Sequence, residues 1–125
     1  MPSIQRDLSG DCLVFDLEAE RERAADPEIL ERSGRNARTL LKSGSLRVTL
    51  IVLAAGGEIA EHHAEGPITV RPLDGQIQFT IGGTTHDVGP GQMLAAGPGV
   101  PHSVASEEGA SFLLTVSHSG TRGDD

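Results

Sequence analysis

Between residues 37 and 117 the sequence alternates short runs of strand-forming residues with turns rich in glycine. The runs include LRVTLIVL (46–53), ITVRPL (68–73) and SFLLTV (111–116). Such runs, repeated roughly every eight to twelve residues, are typical of β-sandwiches and barrels. A parallel sheet would require helices between the strands. The pattern therefore predicts one all-β domain.

The residues that flank this region follow other patterns. LEAERERAA (17–25) is rich in helix formers, and Asp26 and Pro27 then supply an N-cap and a first helical residue for a second helix. Gly34 is placed to end that helix. We therefore expect a helical N-terminal arm over residues 1–36, a barrel over residues 37–117 and a flexible polar tail over residues 118–125.

Two dipeptides and one proline predict local features of the strands. Asp74-Gly75 and Gly82-Gly83 are typical of tight hairpin turns. Pro72 lacks the N–H that a strand ladder needs, so it indicates an edge or a bulge. If Val70 faces the core, its neighbour Arg71 should face away.

Composition excludes several classes of partner. Ten Lys and Arg residues against eighteen Asp and Glu residues give a formal net charge of −8. This charge repels phosphates and anionic lipid, so we expect neither nucleic acid nor membrane as a partner. The longest apolar run, at 49–55, is much too short to span a bilayer.

The N-terminal residues contain no basic region followed by an apolar run, so we expect no targeting segment. The single cysteine, Cys12, cannot form an intrachain disulfide. These features are typical of a cytoplasmic protein.

Two stretches together resemble the motifs of the cupin superfamily. GGEIAEHHAEGPITVRPLDG (56–75) resembles the first motif, and GQMLAAGPGVPHSVAS (91–106) resembles the second. The resemblance covers roughly residues 40–117 and indicates a small single-domain cupin. It implies a cupin-like β-barrel, or double-stranded jelly roll, that is often dimeric. It also implies a metal held by two histidines and a glutamate from the first motif and a histidine from the second.

Only two of these four ligands are present at the matching positions. His62 takes the first histidine position of the first motif, and His102 takes the histidine position of the second. Ala64 and Ile68 stand where the second histidine and the glutamate would be. The resemblance therefore implies a degenerate metal site.

The turn after His62 offers two replacement ligands. His63 is predicted to point away from His62, because adjacent strand residues face opposite sides, unless the turn redirects it. Glu65 lies in that turn and could supply a carboxylate. Three protein ligands plus water form an ordinary catalytic shell for zinc or iron(II). Ile68 and Val70 argue against such a completed metal site, because they are predicted to face inward and to line it with apolar side chains.

Three functions follow as hypotheses. The first is a barrel that binds a small, partly apolar ligand in a pocket lined by His62, Ile68, Val70 and His102. The alternative is a metal-dependent oxygenase or isomerase, with iron, manganese or zinc on His62 and His102, completed by His63 or Glu65. The third is an interaction module that dimerises through exposed strands. We expect a homodimer. The residues leave open whether the barrel is an enzyme. The sequence contains no hydrolase or phosphate-binding motif, so a hydrolase is not favoured.

The remaining candidates have structural interpretations. His86 lies beside turns and is predicted to be a solvated surface residue, as is His118. Arg35, Asn36 and Arg38 could bind an acidic ligand at the barrel mouth, but salt bridges to the Glu-rich helix are favoured. The only aromatic residues, Phe15, Phe79 and Phe112, are predicted to be core.

Overall fold

The computed structural model describes residues 12–117, so the predicted tail at 118–125, with His118, and the first eleven residues lie outside the described part of the chain. Within residues 12–117, two helices precede nine strands. They are α1 (Leu17–Ala24), α2 (Pro27–Ser33), β1 (Arg35–Ser43), β2 (Leu46–Leu53), β3 (Gly57–His62), β4 (Ile68–Gly75), β5 (Ile77–Ile81), β6 (Thr84–Val88), β7 (Leu94–Ala96), β8 (His102–Ser106) and β9 (Ala110–Ser117). In residues 12–117 no helix has the length and apolar character needed to cross a bilayer.

The strands form two antiparallel sheets, which confirms the predicted all-β fold. The first sheet has the order β1-β2-β9-β4-β7, and the second has the order β3-β8-β5-β6. Strands that are distant in sequence are neighbours in space, as β9 between β2 and β4 shows. This interleaving of two sheets is the arrangement of a double-stranded jelly roll.

The main core lies between the two sheets and draws one face of each strand inward. Phe79 and Phe112 are each 1% exposed and lie in this inner cluster. Its other members are Ile51, Leu53, Ile68, Val70, Ile77, Val88, Val104 and Ala110. Burial of so much apolar surface is the dominant favourable contribution to folding.

Strand β2 is buried on both faces, which explains its continuous apolar sequence. Ile51 and Leu53 face the inner cluster, whereas Leu50 and Val52 face outward into a second cluster with Ala24. Phe15 and Leu30 of the N-terminal arm pack partly buried against that outer cluster. The arm therefore covers the outer face of the first sheet.

The two helices begin and end as the sequence predicts. Asp26 accepts hydrogen bonds from the backbone N–H groups of Glu28 (3.0 Å) and Ile29 (3.4 Å), with Pro27 at the first helical position. Gly34 follows α2 in the left-handed conformation, at φ 79°. The predicted cap, first residue and terminator of this helix are all present.

The polar cluster at the start of β1 ties the arm to the sheet. The Arg38 Nε donates to the Glu20 Oε1 of α1 at 2.6 Å, and the Asn36 side chain donates to the Ala24 carbonyl at 2.9 Å. Arg35 donates to the Glu58 carbonyl at 3.4 Å. The favoured salt bridge to the Glu-rich helix is thus present for Arg38, whereas Arg35 bonds to a backbone carbonyl of β3.

One of the two predicted hairpins is wrong. Gly82-Gly83 does connect the paired strands β5 and β6, with Ile81 opposite Thr84. Asp74-Gly75 instead stands where the chain leaves the first sheet and enters the second, because β4 and β5 belong to different sheets. Gly75 has the predicted positive φ, 78°, but it turns a corner between sheets.

Pro72 lies at a bulge, which is one of the two positions predicted for it, an edge or a bulge. The register of β4 against β9 shifts between Pro72 and Asp74, so the missing N–H falls where the ladder is already interrupted. Arg71 is exposed and Val70 is buried, as alternation requires.

Candidate functional site

His62 and His102 lie opposite each other on neighbouring strands. His62 ends β3, His102 begins β8, and the two residues are directly paired in the antiparallel register. Their ring centroids are 4.4 Å apart, and the ring planes meet edge to face at 69°. The structure therefore brings together the two histidines that the motifs align.

A β-bulge in β3 places His62 in this position. Ile59 pairs with Val104, but the next matched pair is His62 with His102, so β3 uses one more residue than β8. Ile59 packs against the inner cluster. Without the bulge, simple alternation would turn Glu61, and not His62, toward the same face.

The His102 imidazole is enclosed by apolar surroundings. The residue is 5% exposed, and its ring stacks on the Phe79 ring with centroids 5.1 Å apart and planes at 22°. Burial lowers the pKa of His102 below its usual value of 6.5, the Val100 carbonyl opposes this shift, and the nearby His62 and His63 reinforce it. His102 is therefore neutral at pH 7, whereas His62 is exposed to solvent.

Each histidine of the pair is oriented by a carbonyl two residues before it. The Nδ1 of His62 lies 2.9 Å from the Ala60 carbonyl oxygen, and the Nδ1 of His102 lies 3.0 Å from that of Val100. Because a carbonyl oxygen only accepts hydrogen bonds, Nδ1 carries the proton in both rings. In a neutral ring Nε2 is then an acceptor, and it is the nitrogen left for a ligand.

The predicted apolar lining residues, Ile68 and Val70, both face inward. They are 3% and 1% exposed and belong to the packed inner cluster, which also contains Phe79. Ile68 additionally lines a cavity of about 350 Å³ at the β4–β7 edge. Sequence reasoning treated Phe79 only as core and so missed its contact with His102. No motif signals that contact, which depends on β5 pairing with β8.

The residues around the pair do not fit a complete metal site. His63 and Glu65, the two predicted replacement ligands, are both exposed. Within residues 12–117, no group of three His, Cys, Asp or Glu side chains is close enough to hold an ion. The glutamate position of the motif is filled by the buried Ile68. His86 is exposed on β6, as predicted.

The chain matches a family model described as Cupin domain over residues 49–117, more than half of its length. Among solved structures it resembles a conserved protein of unknown function, SPY1581, from Streptococcus pyogenes. That protein is 30% identical with a TM-score of 0.66, and the match covers 72% of this chain and 79% of the other.

Two further structures share the fold at lower identity. A cupin superfamily protein from Desulfitobacterium hafniense is 19% identical with a TM-score of 0.66, over 68% of this chain and 78% of the other. A salicylate 1,2-dioxygenase from Pseudaminobacter salicylatoxidans is also 19% identical, with a TM-score of 0.74 over 82% of this chain. This chain spans only 34% of that enzyme's length.

No curated protein shows significant sequence similarity to this chain. The two antiparallel sheets agree with the cupin fold that the family model and the solved structures indicate. The chain belongs to the cupin family, as a small cupin with one barrel and a short helical arm.

Proposed function

We propose that this cupin binds a small, partly apolar molecule at the mouth of its barrel, with His62 and His102 as the polar contacts. The observation that carries the proposal is that both imidazoles are anchored in the same way. Each is held through Nδ1 by the backbone carbonyl two residues before it. Rings fixed in this way present Nε2 to a ligand at little entropic cost.

The chemistry of the pair defines the ligand. His102 is neutral and accepts at Nε2, so the ligand supplies a hydroxyl or N–H donor. The Phe79 ring stacks on the His102 ring and makes the surroundings of that imidazole apolar. Glu61 and Glu65 are exposed near the mouth, and the formal charge of the chain is −8, so an anionic ligand is disfavoured. A neutral molecule with a hydroxyl group and a short apolar body fits these conditions.

Ligand titrations followed by NMR of the histidine side-chain nitrogens test the proposal. The probes are phenol and cyclohexanol, with gentisate as an anionic comparison because the related salicylate 1,2-dioxygenase forms adducts with it. The neutral probes should shift the Nε2 signals of His62 and His102 and leave those of His86 unchanged. The shifts of His102 should weaken in His62→Ala and persist in His86→Ala. Equal shifts of all three histidines, or none, would contradict the proposal.

The metal-dependent oxygenase or isomerase is the alternative, and Nε2 is the atom that it would use. Two imidazoles alone hold a divalent ion weakly, because a protein site for zinc or iron normally supplies three or four ligands. We expect iron, manganese or zinc to remain well below one per chain after chelation and dialysis. Elemental analysis of the wild type beside His62→Ala and His63→Ala measures this. About one ion per chain that His62→Ala removes would favour the metal-dependent alternative.

The proposed setting is the cytoplasm. Cys12 is exposed with a free thiol, which a reducing compartment preserves. The acidic surface argues against nucleic acid or anionic membrane as partners.

A further inference from the structure

Another cavity lies at one end of the first sheet, where Arg21 of the N-terminal arm meets the β2–β3 and β8–β9 connections. It has a volume of about 290 Å³, and its lining includes Arg21 from α1, Val52 from β2, Asp74 from β4 and Ser111 from β9. A neighbouring cavity of about 300 Å³ shares Arg21 and Asp74 with it. The two cavities therefore flank one ion pair, in which the Arg21 and Asp74 side chains are 3.9 Å apart.

Ser111 is buried in this cavity lining without a hydrogen bond. The residue is 2% exposed, and its Oγ has no partner among the described residues. Ala110 and Phe112 on either side face the inner cluster, so Ser111 faces the outer side, toward the arm. A buried hydroxyl left unpaired destabilises the folded state and is an unusual feature in a native protein.

The strand register places a carboxylate beside that hydroxyl. Asp74 and Ser111 are directly paired across β4 and β9, so their side chains share a face of the sheet. The carboxylate of Asp74 is mostly exposed, and Glu108, also exposed, lines the same cavity. Arg21 does not fully neutralise them, because its closest contact is the hydrogen-bonded pair with Glu18. Negative charge therefore predominates around Ser111.

We propose that this cavity binds a small organic ammonium ion. The Asp74 and Glu108 carboxylates attract the charged group, and an N–H of the ammonium donates to the Ser111 Oγ. Val52 and the neighbouring alanines of the cavity wall provide contact for a short alkyl chain. The site is separate from the histidine pair, since Ser111 faces away from the inner cluster that holds Phe79.

Calorimetric titration of the full chain with butylammonium tests this site. Butanol, which lacks the charge, and butyrate, which reverses it, are the matched probes. We expect saturable binding of butylammonium alone, weakened about tenfold or more by Ser111→Ala and by Asp74→Asn, because each variant removes a charge-assisted contact. Glu22→Gln, on the exposed side of α1, should bind normally. His62→Ala should also bind normally, which separates this site from the proposed function.

Stability of the ligand-free protein supplies a second readout. Ser111→Ala should keep or raise the thermal midpoint, because it removes an unpaired buried hydroxyl, while it weakens binding. The proposal is overturned if butylammonium does not bind saturably, if butyrate binds more tightly, or if Ser111→Ala and Asp74→Asn bind as the wild type does. In the first case a water molecule alone satisfies Ser111.

Discussion

At the scale of single residues, the histidine pair depends on one inserted position in β3. The bulge between Ile59 and His62 gives β3 an extra residue, so His62 faces His102 across the strands. Each ring is then held by a carbonyl of its own strand. The bulge and the two carbonyls together fix the positions of both imidazole rings.

The lowered pKa of His102 predicts a loss of stability in mild acid. The unfolded chain binds a proton near the usual value of 6.5, whereas burial lowers the pKa of His102 in the folded state. Stability is therefore complete above pH of about 6.5 and falls as the pH drops toward the lowered pKa, because the unfolded state gains the proton first. Urea unfolding across this range should show a smaller decline for His102→Gln than for the wild type.

The exposed His86 is the matched control for that measurement. His86→Gln should keep the pH dependence of the wild type, because the residue is exposed on β6. NMR titration should also give His102 a midpoint below the usual histidine value of about 6.5. A midpoint at that value would mean that His102 is not enclosed as the structure describes.

The motif spacing aligns His62 and His102 without any reference to the bulge. The structure pairs these two histidines. Period-two alternation from the inward Ile59 would instead select Glu61 and His63. A bulge depends on how two strands pair, so one strand's own pattern does not reveal it. The stacking of Phe79 on His102 was missed for the same reason.

Gly75 allows a prediction that separates backbone strain from steric overlap. It has φ 78°, and a Cβ there would lie 2.2 Å from the Gly109 carbonyl oxygen. Gly56 has a similar φ of 79°, but a Cβ there would meet nothing within 4 Å. Gly56→Val should therefore cost about 1–3 kcal/mol from strain, and Gly75→Val about 3–5 kcal/mol from strain and overlap together. Chemical denaturation measures both, and equal losses would contradict the described corner.

At the scale of elements, the arm is attached by one buried carboxylate as well as by apolar packing. The Glu20 side chain is 7% exposed and is paired with Arg38 at 2.6 Å and with Arg23 at 3.2 Å. Ala24 of the same helix lies in the outer cluster with Leu50 and Val52. The apolar contacts of α1 are thus supplemented by a charged contact to β1.

Removing that carboxylate should loosen the arm. Glu20→Ala should lower the free energy of unfolding by about 2 kcal/mol, because Arg38 loses a charge-assisted hydrogen bond in a partly buried setting. Glu22→Ala, at an exposed position of the same helix, should change it by less than about 0.5 kcal/mol. Urea unfolding measures both, and amide hydrogen exchange should rise within α1 only for Glu20→Ala. Equal effects of the two variants would mean that the pair with Arg38 does not hold the arm.

The elements were largely predictable, whereas their connections were less so. All nine strands follow runs of strand-forming residues, and the ends of α2 follow from Asp26 and Gly34. Asp74-Gly75 was misassigned because a turn dipeptide specifies backbone angles, and not the sheet that the next strand joins. That choice depends on the core, where β4 pairs with β9 and β5 with β8.

At the scale of the whole molecule, the first sheet has two edges that no further strand of residues 12–117 covers. β1 forms one edge over nine residues, and the short β7 covers only Ile68 to Val70 of β4 at the other. The arm packs on the outer face of its own sheet. The predicted homodimer therefore depends on the strand edges alone, which native proteins rarely leave open.

We expect light scattering at micromolar concentration to give a mass of about 26 kDa, twice the 13.1 kDa of one chain. A charge on an edge strand opposes pairing between strands. A glutamate on the edge that forms the dimer interface should therefore halve this mass. Ala37→Glu tests β1 and Ala95→Glu tests β7, since both alanines are exposed. Thr85→Glu on β6 of the second sheet is the control and should stay dimeric. A mass near 13.1 kDa for the wild type would contradict the dimer, because each open edge would then be tolerated in a single chain.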